Sequence, residues 1–136
     1  MGVATHGDGY AVSSLDSMGD GHGFRKIRQE LGVTAFGINA IVLPAGYETG
    51  LHFHDRQEET YFVHQGQVEL RFGDGSTHLL RAGGVARVDA ATHRGMRNAG
   101  EGDAVVVVAG GSGGYVGRDG QGVGDNPRGR PPDAAA

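Results

Sequence analysis

Gly46 to Gly66 reads GYETGLHFHDRQEETYFVHQG, and the fold turns on how that stretch is laid out. His52 and His54 stand two residues apart, Glu59 follows five residues after the second histidine, and a glycine closes each end. On a β-strand, residues i and i+2 share a face. Leu51, His52, Phe53 and His54 alternate apolar with polar, so the two imidazoles are expected to project together while Leu51 and Phe53 pack on the other side. Glu59 opens a second strand-like run, Glu59 to Val63, rich in Thr, Tyr, Phe and Val. If the two strands pair, two imidazoles and a carboxylate converge. That donor set suits a first-row divalent metal and leaves positions open for substrate or oxygen.

Outward from this stretch, the chain reads as a series of short strands. Upstream, Phe36, Ile38, Ala40 and Val42 alternate with Gly37, Asn39 and Ile41 until Pro44 ends the run. Downstream, Val68, Leu70 and Phe72 alternate with Gln67, Glu69 and Arg71, a half-buried strand by its period of two. Gly73-Asp74-Gly75 makes a tight hairpin, Thr77 to Leu80 returns, and Gly83-Gly84 turns the chain before Val85 to Ala90. The unbroken valines of Ala104 to Ala109 predict a strand buried on both faces. Such spacing, with no long amphipathic helix between, is the pattern of an antiparallel sandwich or barrel. The flanks differ. Residues 1–32 are expected as an N-terminal arm, with a helix or strand around Phe24, Ile27 and Leu31 and a stop at Gly32. Residues 111–136, rich in glycine and proline, cannot bury a core and are expected to form a flexible tail.

Length and composition exclude several classes. A chain of 136 residues is one domain. Its 27 glycines fit many tight turns, and its net charge of −4 gives no basic footprint for nucleic acid. There is no cysteine to form disulfides or thiolate ligands, and no apolar run approaches a membrane span. The opening MGVATHGDGY lacks the pattern of a secretion signal, and His6 breaks the myristoylation pattern, so a cytoplasmic protein without a membrane partner is expected.

Gly46, His52, His54, Glu59 and Gly66 resemble the first motif of the cupin family: glycine, five residues, His-x-His, three or four residues, Glu, six residues, glycine. Pro44, two residues before Gly46, fits the same pattern. The resemblance covers about residues 33–110 and implies an all-β fold, a double-stranded β-helix or jelly-roll barrel with the site inside. His64 and His78 have no partner at ligand spacing and are expected outside it.

The second cupin motif runs glycine, five residues, Pro-x-Gly, two residues, His, three residues, Asn, and its histidine usually supplies the fourth ligand. Here the stretch is Gly83 to Asn98, GGVARVDAATHRGMRN. Strict counting puts Asp89 at the proline, Ala91 at the glycine, Arg94 at the histidine and Asn98 at the asparagine, with His93 one residue early. A one-residue offset on a strand means the opposite face. A turn shortened by one residue over Asp89–Thr92 would bring His93 inward instead. Both registers are open. Imidazole is the commonest metal ligand and guanidinium cannot serve, which favours His93 as the fourth ligand. An inward Arg94 would need a carboxylate partner or an anionic ligand, and would favour ligand binding over catalysis.

The resemblance thus implies one divalent transition metal (iron, manganese, nickel or zinc) on His52, His54, Glu59 and His93. It implies a small-molecule ligand or substrate, a metal-dependent oxygenase or isomerase as the enzymatic form, and a non-catalytic ligand-binding or sensing protein as the alternative. Glu59, besides being a ligand, is a candidate proton acceptor, and Tyr61, on the same face, either lines the pocket or donates a hydrogen bond there, or packs in the core. A homodimer pairing through the N-terminal arm is expected, since barrel edges otherwise need protection.

Overall fold

In the computed structural model, described here for residues 4–124, twelve strands and one short α-helix follow in order, with a 3-10 turn at Leu15–Ser17 between the second and third strands. They are β1 (Thr5–Gly7), β2 (Tyr10–Val12), β3 (Gly23–Arg25), α1 (Ile27–Leu31), β4 (Gly37–Leu43), β5 (His52–His54), β6 (Glu58–Gln65), β7 (Gln67–Phe72), β8 (Thr77–Arg81), β9 (Val85–Val88), β10 (Arg94–Asn98), β11 (Ala104–Gly111) and β12 (Gly120–Gly122). β1 and β2 form a separate hairpin. The other strands make two five-stranded antiparallel sheets, β12-β5-β10-β7-β8 and β3-β4-β11-β6-β9. This is the jelly-roll arrangement expected from the sequence, with the two sheets remaining distinct rather than closing on each other.

Strand chemistry accounts for the interior. Val63, Val68, Leu70, Val88, Met96 and Val106 alternate with outward residues along their strands and form one core with Ile41 and Leu43. β11 is the centre of its sheet, flanked by β4 and β6; Ala104, Val105 and Val106 are buried, while the rest of the strand is half-buried, so burial on both faces holds only for its first part. β4 is shifted by one residue from the expected alternation: Ile41 and Leu43 enter the core, while Phe36 is largely exposed.

The sheets extend past the 33–110 span read as the barrel. β3, from the expected arm, adds an edge strand to β4; α1 follows it and ends at Gly32, whose φ of 75° is the left-handed cap for which glycine is suited. β12, from the expected tail, pairs with β5 through Gly120↔His54, Gln121↔Phe53 and Gly122↔His52. A glycine-rich segment cannot supply core side chains, but a backbone ladder does not need them. The remainder of the expected tail, residues 125–136, lies outside the described residues.

Asn98, the asparagine of the second motif, ties the ends of the barrel strands. Its side chain is 1% exposed. Nδ2 donates to the Leu43 and Gly102 carbonyls at 2.9 Å each, and Oδ1 accepts from the Gly100 N–H at 2.9 Å. Asn98→Ala should cost about 2–4 kcal/mol, because it strands buried backbone groups of the turn as well as losing its own bonds. Asn98→Asp should cost as much, since an ionised carboxylate cannot donate. Urea unfolding checks both, and an unchanged midpoint in either variant would refute the role.

Candidate functional site

His52 and His54 project from β5 on one face, as their spacing predicts, and Glu59 projects from β6. The two strands do not pair. β5 lies between β12 and β10, whereas β6 lies between β11 and β9 in the other sheet. The short turn Asp55–Gln57 carries the chain across, so the imidazoles and the carboxylate meet through the interior between the sheets. Their donor atoms all fall within 4.8 Å of one another, and His54 Nε2 is 3.3 Å from Glu59 Oε1. Convergence was legible in the sequence; the route to it was not.

The register of β10 decides between His93 and Arg94. Arg94 sits directly opposite His52 in the β10–β5 pair, and opposite residues share a face. Arg94 therefore points inward and is 1% exposed. His93, expected as the fourth ligand, faces the other way and stacks on Phe53 with ring centroids 5.0 Å apart. The turn is not shortened: Thr92 N–H donates to the Asp89 carbonyl at 3.1 Å, as an ordinary tight turn would. The strict count was correct, and His93 is outside the site.

Arg94 is fully employed where it lies. Nη1 donates to the carbonyls of Asp89, Ala90 and Thr92 at 3.2, 3.1 and 2.7 Å, satisfying a turn that lacks the motif's proline and glycine. Nη2 donates to Glu59 Oε1 at 2.9 Å and Nε to the Tyr61 hydroxyl at 3.3 Å. The Tyr61 hydroxyl in turn donates to Glu59 Oε1 at 2.8 Å. Tyr61 packs in the core and lines the cavity, and its hydroxyl is spent on Glu59.

Asp119, in the segment whose composition predicts a flexible tail, completes the cluster. Its Oδ1 accepts from His54 Nδ1 at 2.7 Å and from Gln57 Nε2 at 2.7 Å. Its Oδ2 accepts from the Arg56 and Gln57 N–H groups at 2.7 and 3.1 Å. An ionised carboxylate only accepts, so His54 carries its proton on Nδ1 and turns Nε2 toward Glu59. No spacing rule connects residues 54 and 119. One of three acids in a glycine- and proline-rich stretch is the available signal, and it is a weak one.

Electrostatics fix the charge states. Burial, aided by the charges of Arg94 and His54, lowers the His52 pKa to about 4 against the pull of Glu59, so its imidazole is neutral. Burial would raise the Glu59 carboxyl, but hydrogen bonding and charge from His54 and Arg94 outweigh it and hold it at about 2. For His54, burial lowers the pKa and is overcome by Glu59 and Asp119, leaving it raised. Asp119 is likewise held low: burial is outweighed by the four donors around it. Burial, then the Glu59 charge, pushes the Tyr61 hydroxyl up, so it stays protonated.

A cavity of about 390 Å³ opens over this cluster. The donors fit a metal ion with three protein ligands. His52 Nδ1 is buried with no hydrogen-bond partner, His54 is held by a carboxylate on its far nitrogen, and Glu59 is ionised. The fourth family position holds a guanidinium, which no metal can use.

Removing one partner of a buried ion pair leaves the other charge unpaired, typically at about 3–5 kcal/mol. Arg94→Ala is expected to cost at least that, given its three carbonyl contacts, whereas His93→Ala should cost about 1 kcal/mol for a lost ring contact. Chemical denaturation of the two variants side by side checks this, and the reverse order would put His93 inside.

A family model described as a cupin domain matches residues 40–110. No curated protein matches the chain in sequence. Among solved structures, a cupin protein from Bacteroides fragilis aligns with a TM-score of 0.65 at 22% identity, covering 76% of this chain and 85% of that one. A double-stranded β-helix protein from Klebsiella pneumoniae subsp. pneumoniae MGH 78578 aligns at 0.59 and 21% identity, covering 67% and 76%. Oxalate oxidase in complex with glycolate aligns at 0.53 and 20% identity, covering 57% of this chain and 42% of that one. At these identities the structures share the fold. With more than half of the chain matched by the family model, and the first-motif residues in the places that motif assigns them, the chain belongs to the cupin family.

Proposed function

We propose that this cupin binds a small organic molecule in its interior cavity, beside one divalent transition metal held by His52, His54 and Glu59. The observation that carries the proposal is the convergence of three donors within 4.8 Å: a neutral imidazole whose Nδ1 is buried without a partner, an oriented imidazole and an ionised carboxylate. When bound, iron, manganese, nickel or zinc would supply Lewis acidity, and a redox-active one the chemistry of an oxygenase. The chain's own contribution is positional. Asp119 fixes the tautomer of His54; Tyr61 and Arg94 fix Glu59. A carboxyl held at about 2 is a poor base, so Glu59 serves as a ligand rather than as the proton acceptor.

A second reading, a non-catalytic ligand-binding cupin without metal, is favoured by Arg94. Its charge already balances Glu59, and a divalent ion placed beside it would be repelled by several kcal/mol even at an effective dielectric of about 20. Metal analysis after loading with each ion separates the readings. The metal centre requires close to one ion per chain, loss of it in His52→Ala and Glu59→Ala, and affinity lowered about 10–100-fold in Asp119→Ala. Metal content unchanged in the first two variants would reject the centre. Folded protein that takes up no metal would leave the second reading.

The proposed protein is cytoplasmic and homodimeric. The β1–β2 hairpin of the arm exposes Tyr10 and Val12 at 62% and 57%, and Phe62 and Val85, paired across β6 and β9, are also exposed. Apolar groups of this size at a strand edge suit burial against a second copy. Light scattering at micromolar concentration is expected to give twice the chain mass of 14.1 kDa; a monomer would reject the dimer.

A further inference from the structure

The charges lining the cavity oppose those of the chain as a whole. Four cations, Lys26, Arg28, Arg94 and Arg118, face two carboxylates, Glu59 and Asp119, leaving an excess of two positive charges in a chain whose net charge is −4. Both carboxylates are committed, Glu59 to Arg94 and Asp119 to His54, Gln57 and backbone N–H groups. Lys26, Arg28 and Arg118 have no ion-pair partner among the described residues. Arg28 is held over the Tyr115 ring, with its guanidinium carbon 4.0 Å from the centroid, which orients it without neutralising it. Two of these cations come from the β3–α1 segment and the third from the stretch before β12, so parts of the chain far apart in sequence bring like charge to one cavity.

The deeper wall is different. Ile41, Leu70, Met96 and Val108 line it and offer no charge. Uncompensated cations with a low-dielectric wall focus a positive field into the cavity. Resting on the reading of this cavity as a small-molecule site, we infer that its ligand is an anion with an apolar body, its carboxylate or phosphate head held by Lys26, Arg28 and Arg118. Arginine suits such a head because its planar fork of donors matches oxyanion geometry. The three cations act as specificity-determining residues, and the His52–His54–Glu59 centre is not needed for the preference.

Calorimetric titration of the full chain with matched probes tests this: hexanoate and hexyl phosphate, neutral hexanamide, and hexylamine, which is protonated at neutral pH. The two anions should bind at least tenfold more tightly than hexanamide, with hexylamine weakest. The stronger of hexanoate and hexyl phosphate identifies the head group. In a Lys26→Met, Arg28→Met, Arg118→Met variant the anion advantage over hexanamide should fall to less than threefold, with circular dichroism showing the β-rich fold retained. Equal binding of anion and amide, or an amine preference, overturns the inference and leaves the cavity a small-molecule site. An anion preference that survives the triple substitution overturns the role of these cations. Binding of none of the probes overturns the cavity reading, and the inference with it.

Discussion

The ion pair of Arg94 with Glu59, at 2.9 Å, joins the two sheets through the interior. One partner stands on β10 and the other on β6, strands that belong to different sheets. A guanidinium that is 1% exposed is tolerated only if its charge and its donors are all met. Here the charge is met by Glu59, and the donors by Glu59, Tyr61 and three turn carbonyls. Together with His54 the same arrangement keeps Glu59 ionised; it also helps keep the neighbouring His52 neutral and satisfies a turn whose sequence lacks the usual proline and glycine. The state of the site thus depends on a residue that the family pattern assigns to a ligand.

The C-terminal strand shows how a segment without a core-forming composition can still shape a site. β12 lies alongside β5 and sets Gly120 and Gly122 opposite His54 and His52. Cross-strand neighbours share a face, so the two residues beside the imidazoles carry no side chain to fill the space above them. The cavity stays open there while the ladder remains intact. One residue before that strand, Asp119 reaches His54 and two N–H groups of the Asp55–Gln57 turn, binding the turn that carries the chain between sheets. Strand, cavity wall and histidine orientation therefore come from one short stretch.

Much of this was written in local sequence. Period-two alternation fixed β5, β6 and β7, and glycine turns separated them, because strand geometry ties side-chain direction to residue parity. The spacing of Gly46, His52, His54, Glu59 and Gly66 was enough to place three donors together. Parity also carried the answer for Arg94, since the count from Gly83 to Asn98 held without a shortened turn; the preference for His93 came from ligand chemistry, which says nothing about which face a residue occupies.

What the sequence by itself determined was what depends on near neighbours: the faces of β5 and β7, the turns between strands, and the spacing of the three donors. Only the tertiary structure decided which sheet each strand joined, that Asp119 would meet His54 across 65 residues, and that Lys26, Arg28 and Arg118 would line one cavity. The physical reason is that backbone pairing and charge act through space. A ladder bond or a Coulomb interaction depends on where two groups finish, and the chain distance between them leaves no periodic trace in the residues that separate them.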